Sequence, residues 1–192
     1  MCGRYYIPDD DFSEIITLVD QIKEDKKGSP ILGEMKLGEI FPTDIVPVVT
    51  SKSPQLMKWG FSRFDGKGII INARMESASE KAMFKYPYQS QRCLIPAGYY
   101  FEWKKDGSKK QKYAIKQRKP IYMAGLYQME KTSDIPLFVI LTRPALSEIE
   151  FIHDRMPVIL PEDVREKWLS GKIGAPEITN IDLGTLEYES IG

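Results

Sequence analysis

Two strand-forming runs meet across a tight turn in the middle of this chain, and that turn limits the fold more than any other feature. Cys93–Pro96 and Tyr99–Lys104 lie on one side, Lys112–Lys116 and Ile121–Tyr127 on the other, with Asp106-Gly107 between them. A type I′ turn needs positive φ at both central positions, and Asp-Gly meets that demand, so the centre of the chain reads as an antiparallel hairpin. Further strands are expected at Ile45–Val49, Leu56–Trp59, Gly68–Ile71, Leu137–Thr142 and Val158–Leu160. Phe12, Ile15, Ile16, Val19 and Ile22 recur at helical spacing behind an Asp-rich start. A second helix is expected from Pro161, with Glu162 and Asp163 at its positive end, to about Gly171. Many short strands and few helices imply an α+β fold: mainly antiparallel β-sheet or a partly closed barrel, with helices packed outside. At 192 residues, without repeat, low-complexity block or linker, residues 1–192 read as one domain.

Hydrophobic residues make up 42% and aromatics 11%, enough for a real core. The 27 basic and 27 acidic residues cancel, but they are unevenly placed. Residues 104–119 hold eight Lys or Arg against Asp106 alone, whereas the chain from Ser147 onward and the segment Asp9, Asp10, Asp11, Glu14 are acidic. Such asymmetry suits a basic face turned toward a polyanion, and equally a solvated hairpin with no partner. Two cysteines, Cys2 and Cys93, form no CxxC pair, and with one histidine no zinc set is expected; no cofactor is implied. Pro8-Asp9-Asp10-Asp11 stands where a signal peptide would be apolar, and no run approaches the ~18 residues of a membrane span. The expectation is a soluble, reduced, cytoplasmic monomer with no membrane partner.

The N-terminus carries the sharpest chemistry. Methionine aminopeptidase removes Met1 when a small residue follows, which leaves Cys2 with a free α-amine and a thiol on adjacent carbons. An α-amine of pKa about 7.7–8.0 is partly neutral at cytosolic pH and is nucleophilic. Such a 1,2-aminothiol takes an aldehyde first as an imine and then as a five-membered thiazolidine. The bland alternative is a frayed terminus with an idle thiol. His153, the only histidine, is of a residue type suited to acid–base work, or to a structural hydrogen bond beside Asp154 and Arg155. In Tyr99-Tyr100-Phe101-Glu102-Trp103, alternation puts Tyr100 and Glu102 on one face and Phe101 and Trp103 on the other. A carboxyl among rings is desolvated and keeps its proton; on the wet side of a sheet it is an ordinary glutamate. Asn72 and Arg74 follow an apolar run and emerge at a strand end, Asn72 able to orient a substrate hydroxyl or carbonyl and Arg74, like Arg4, to hold a phosphate. Trp59 suits base stacking or the core. Cys93 reads as a small buried hydrophobe.

Taken together, Met1-Cys2-Gly3-Arg4, Trp59-Gly60-Phe61, Asn72-Ala73-Arg74-Met75-Glu76, Arg92-Cys93-Leu94-Ile95-Pro96-Ala97, Phe101-Glu102-Trp103 and Ile152-His153-Asp154-Arg155-Met156-Pro157-Val158-Ile159-Leu160 resemble the SRAP family, the SOS-response-associated peptidases. The resemblance spans residues 1–160 in the family's order. It implies a compact antiparallel β fold with peripheral helices, and an N-terminal cysteine that crosslinks to abasic sites in single-stranded DNA. It also implies that Glu102, His153 and Asn72 complete the catalytic set with Cys2. Arg4 and Arg74 become DNA phosphate contacts, and the binding face takes in Pro42, Thr43, Trp59, Thr142 and Arg155. Two positions depart from the pattern: Gly98 lies one place earlier than the family's glycine, with Tyr99 in its place, and Glu39 stands where an asparagine is usual. The family name keeps a second reading open, a thiol (auto)peptidase, for which Cys2, His153 and Glu102 would also serve. A third is a non-covalent single-strand-binding module, in which the Lys104–Lys119 hairpin matters and Cys2 does not.

Overall fold

The computed structural model describes residues 2–107, 109–131 and 133–191, apart from the side chain of Asp106. In chain order the elements are β1 (Arg4–Ile7), α1 (Ser13–Asp25), a 3-10 turn (Pro30–Glu34), β2 (Gly38–Ile40), β3 (Ile45–Thr50), β4 (Pro54–Trp59), β5 (Phe61–Ser62), β6 (Ile69–Ile70) and β7 (Asn72–Arg74). They continue with α2 (Met75–Ala78), α3 (Ala82–Ser90), β8 (Arg92–Asp106), β9 (Lys109–Gln128), β10 (Leu137–Pro144), β11 (Arg155–Pro157), α4 (Glu162–Leu169), α5 (Ala175–Thr179) and β12 (Glu187–Ile191). The strands β9, β10, β4, β3 and β8 pair in that order, and β8 pairs back to β9, so the barrel is closed. Pairing is mostly antiparallel, but β10 runs parallel to β4 and to β7. β1 lies on β8, with Tyr5 opposite Tyr100 and Arg4 opposite Phe101.

The central hairpin forms as expected, one residue displaced. Asp106 pairs with Lys109, so it closes the strand and Gly107, at φ +59°, opens the turn; Ser108 lies outside the described residues. The four short runs on its arms are two long continuous strands. Their registers slip at Gly98, between the pairs Ala97–Ile121 and Tyr99–Lys116. A Cβ at Gly98 would sit 3.3 Å from Pro8, so the glycine lets the segment after β1 pack against this irregularity. Gly125 answers a similar need on β9, where a Cβ would come within 2.8 Å of the Val139 carbonyl oxygen. The strand expected at Val158–Leu160 falls earlier, at β11, and only Ile159 makes an isolated bridge there, to Met123.

Two-residue alternation divides the core between the barrel interior and an outer layer. Cys93, Ile95, Met123, Phe138 and Ile140 point inward with Cys2, Tyr5 and Trp59. Their neighbours Leu94, Ala124, Leu126, Val139 and Leu141 face α2, α3 and α4 through Met75, Phe84, Tyr88 and Trp168. Both faces of these strands are buried, which is why they read as unbroken apolar runs. Arg92 pins the outer layer: its guanidinium lies 4.2 Å from the centre of the Trp168 ring and 4.6 Å from that of Tyr88, and its Nε donates to the Tyr88 carbonyl at 2.7 Å. No helix among the described residues is long and apolar enough to cross a membrane.

The basic stretch does not form an open positive face along its length. Lys112 binds Glu39 at 2.9 Å, while Lys116, Arg118 and Lys119 lie 3.9, 3.8 and 3.8 Å from Glu189, Glu187 and Glu162. Glu187 and Glu189 come from β12, which pairs along β9, so the acidic tail neutralises part of the basic hairpin.

Candidate active site

Cys2 precedes β1, which inserts between β2 and β8 and so draws Cys2 against the barrel. The residue is fully buried, and its thiol donates to the Arg4 carbonyl oxygen at 3.7 Å. Asn72, at the start of β7, donates from Nδ2 to the Cys2 carbonyl at 2.8 Å. The asparagine therefore grips the backbone of Cys2, while its buried Oδ1 has no hydrogen-bond partner among the described residues. The parallel pairing of β7 with β10, with Asn72 opposite Ile140, fixes that reach across the barrel.

Glu102 comes from β8, and only 3% of its surface is exposed. Burial raises its pKa above the usual carboxylate value, and the charge of His153 offsets part of that rise. Burial, followed by the Glu102 charge, pushes the Cys2 thiol well above the ordinary range. Tyr100 shares the Glu102 face, as alternation requires; its hydroxyl and that of Tyr5 opposite are buried without a hydrogen-bond partner among the described residues. His153 is part-exposed in the segment entering β11. The Arg155 backbone N–H donates to its Nδ1 at 3.0 Å, so the neutral ring carries its proton on Nε2. When protonated, Nδ1 instead pairs with Asp154 Oδ1 at 2.8 Å. The chain thus brings Cys2, Asn72, Glu102 and His153 into one neighbourhood from four separated segments. Among the described residues no group of three or more His, Cys, Asp or Glu is placed to hold a metal.

The residues read as DNA contacts divide. Arg74 is exposed at the end of β7. Arg4 is part-exposed and held: its guanidinium lies 3.2 Å from Glu39, 4.4 Å from the Phe41 ring centre and 5.2 Å from that of Trp103. Glu39 also takes Lys112, and these two cations hold its carboxyl below the usual range although burial pulls the other way. The acid in the family's asparagine position is therefore the centre of a three-charge cluster. Pro42 and the exposed Thr43 follow Phe41 in a tight turn. Thr43 holds φ +81°, a strained value for a β-branched residue, while its N–H donates to the Trp59 carbonyl at 2.9 Å.

Trp59, Thr142 and Arg155 are placed differently from the sequence reading. Trp59 is fully buried, stacked 6.2 Å from Phe138, edge-on to Tyr5 at 5.1 Å, with its Nε1 donating to Ile71 at 3.0 Å. Its ring is part of the barrel core and open to no base. Thr142 is likewise fully buried. Arg155 forms a bidentate pair with Glu76 at 2.6 and 3.0 Å and donates to the Thr142 carbonyl at 2.6 Å. It braces β11 against β10 and α2 and leaves no fork for a phosphate. Nothing local in the sequence points to Trp103 as a partner of Arg4 or to Lys112 as a partner of Glu39, whereas alternation from Glu102 does point to Tyr100.

The sequence profile of the "SOS response associated peptidase (SRAP)" family matches residues 1–186. Abasic site processing protein YoqW of Bacillus subtilis is 32% identical over 199 aligned residues, covering 92% of this chain and 84% of YoqW. Abasic site processing protein YMR114C of Saccharomyces cerevisiae is 33% identical over 160 residues, 76% of this chain but 43% of that protein, so the chain spans less than half of this longer relative. A crystal structure of a protein from Bacteroides thetaiotaomicron superposes with a TM-score of 0.80 at 24% identity, covering 100% of this chain and 92% of the other. The closed barrel and the match over nearly the whole length agree, and the chain belongs to the SRAP family.

Proposed function

We propose that this protein recognises abasic sites in single-stranded DNA and, once Met1 is removed, bonds to the exposed sugar aldehyde through Cys2. The observation that carries this reading is the Asn72–Cys2 hydrogen bond of 2.8 Å beside a buried Glu102. It holds the second residue of the chain next to a carboxyl that burial keeps toward its protonated form. The names of YoqW and YMR114C as abasic site processing proteins point to the same substrate class.

The abasic deoxyribose is mostly a closed hemiacetal. Glu102 protonates the ring oxygen as the C1′ hydroxyl loses its proton, which opens the aldehyde. The neutral Cys2 amine adds to the aldehyde carbon, and the carbinolamine loses water to form the imine. Asn72 and His153 orient and protonate the sugar oxygens. The Cys2 sulfur then adds to the imine carbon, and its proton passes to the nitrogen, closing the thiazolidine with one water released overall. Holding the scarce aldehyde beside the amine makes the step effectively unimolecular.

The peptidase reading is weaker on physical grounds. A catalytic thiol is activated by a lowered pKa, whereas burial and Glu102 raise that of Cys2. The thiazolidine route needs the amine first and tolerates a neutral thiol until ring closure. A denaturing gel of the mature protein with an abasic oligonucleotide separates the readings: wild type is expected to give a heat-stable adduct, and Cys2→Ser at most a reducible imine. A Cys2→Ser adduct as stable as wild type overturns the thiazolidine.

A further inference from the structure

Beside the site lies a cluster of aromatic rings that the catalytic chemistry does not use. Tyr113 on β9 is directly opposite Glu102 in the sheet register, and Phe151 precedes His153 by two residues. Tyr188, on β12, pairs with Ile115 and so stands on the same face as Tyr113. Ring centres are 6.0 Å apart for Tyr113–Phe151, 6.2 Å for Tyr113–Tyr188 and 5.2 Å for Phe151–Tyr188. All three contacts are edge-on, at 66–86°, so no ring lies parallel over another. Phe151 is 44% and Tyr188 48% exposed, costly for side chains of this size grouped together. Lys104, on the Glu102 face of β8, holds its ammonium 5.2 Å from the centre of the Phe151 ring. Tyr188 lies just beyond residue 186, the last residue of the family match.

We propose that Phe151, Tyr113 and Tyr188, with Lys104, form a stacking subsite for the unpaired base next to the abasic sugar. The inference rests on the single-strand reading above. Two features select this occupant. Tyr113 stands opposite Glu102 in the β8–β9 register and Phe151 two residues before His153, which puts the rings beside the groups proposed to meet the sugar. Lys104 places a cation beside them, the pairing of π-surface and positive charge that single-stranded nucleic acid uses. Because every base has a π-face, the subsite accepts any base and adds grip without sequence preference.

The test uses the full-length mature protein and short single strands carrying a stable tetrahydrofuran abasic analogue, with 2-aminopurine on its 5′ or its 3′ side. Fluorescence is expected to fall on binding for one side only. Tyr188→Ala is expected to weaken binding of that strand about tenfold, roughly 1.4 kcal/mol, within the range for one stacked base. Tyr188→Phe, which keeps the ring, is expected to bind as wild type. Replacing the adjacent base by a second abasic analogue should make wild type and Tyr188→Ala equal. Equal binding of wild type and Tyr188→Ala on both strands overturns the subsite, as does a loss that persists without the base. So does a Tyr188→Ala variant that loses only self-association in sedimentation. Adduct formation by wild type on true abasic DNA reports the parent reading separately: no adduct sinks that reading, whereas an adduct with unaltered Tyr188→Ala binding sinks the subsite alone.

Discussion

Cys2 and Cys93 are both fully buried, both free, and both inside the same apolar cluster, yet their surroundings give them different prospects. Cys93 sits mid-strand on β8, its thiol pushed up by burial alone. The polar business at that residue is done by its backbone, whose carbonyl accepts from Trp168 Nε1 at 3.0 Å. Cys2 has a carboxyl within electrostatic reach, an asparagine on its carbonyl, and nearby the Tyr5 and Tyr100 hydroxyls, which have no hydrogen-bond partner among the described residues. After burial, its charge helps raise both their pKa values, whereas Cys93 acts on Tyr5 alone of the two. Burial therefore does not mark a cysteine as inert or as reactive. On the function proposed above, what separates the two is the company of titratable groups, together with a position whose α-amine removal of Met1 would free.

The largest expected effect breaks the pair apart. Cys2→Ala is expected to abolish the heat-stable adduct, whereas Cys93→Ala is expected to leave its yield unchanged. The latter removes one buried sulfur, costing about 1 kcal/mol, or roughly 2–4 °C in Tm. Loss of adduct in Cys93→Ala at a temperature where the variant is folded would contradict the division of roles.

The next effect tests the company rather than the thiol. Glu102→Gln keeps the shape and removes the proton, and is expected to slow adduct formation by about 10²–10⁴-fold. The pH profile gives the sign. Adduct formation rises with pH as the Cys2 amine loses its proton, and falls as pH climbs through the raised pKa of Glu102 and the acid is lost. Glu102→Gln should erase the fall and keep the rise. On a substrate whose aldehyde is permanently open, its rate penalty should nearly vanish; an equal penalty on both substrates removes ring opening from its role.

The smallest effects concern DNA held near Cys2. Arg74→Ala is expected to lower the salt slope of log K by about 0.7, one phosphate contact on a single strand. Arg4→Ala is expected to do less, because Glu39 already neutralises Arg4 at 3.2 Å. Glu39→Gln should steepen the slope, and Arg4→Ala placed on top of it should then cost as much as Arg74→Ala. Salt-dependent anisotropy with the tetrahydrofuran strand measures all four; equal slopes for Arg4→Ala and Arg74→Ala in the parent background would contradict the screening by Glu39.

Legibility in the sequence followed how local each cause was. The β8–β9 hairpin was readable because Asp106-Gly107 and alternating strands are local signals, and α1 and α4 because their spacing and acidic starts are. β1 was missed: Arg4-Tyr5-Tyr6-Ile7 is four residues, stabilised by its slot between β2 and β8. α3 was missed because Pro87 lies inside it, a residue that argues against a helix interior. The parallel pairings of β10 have no local signature, yet they are what carry Asn72 to Cys2. Trp59 and Arg155 show the limit at single residues. A tryptophan before glycine looks the same whether it faces a base or Phe138, and the Glu76 that occupies Arg155 is 79 positions away. Glu39 stands in the sequence only as a departure from the family's asparagine, because its partner Lys112 is 73 positions away and is brought to it only by the fold.

Intact-mass spectrometry of the protein before and after incubation with an abasic single strand tests the central claim most directly. The free protein should lack Met1, and the adduct should weigh the sum of that mature protein and the oligonucleotide less one water. It should also survive heat without borohydride reduction. A protein that retains Met1 and still forms the adduct, or an adduct mapped by peptide sequencing to a residue other than Cys2, would contradict it.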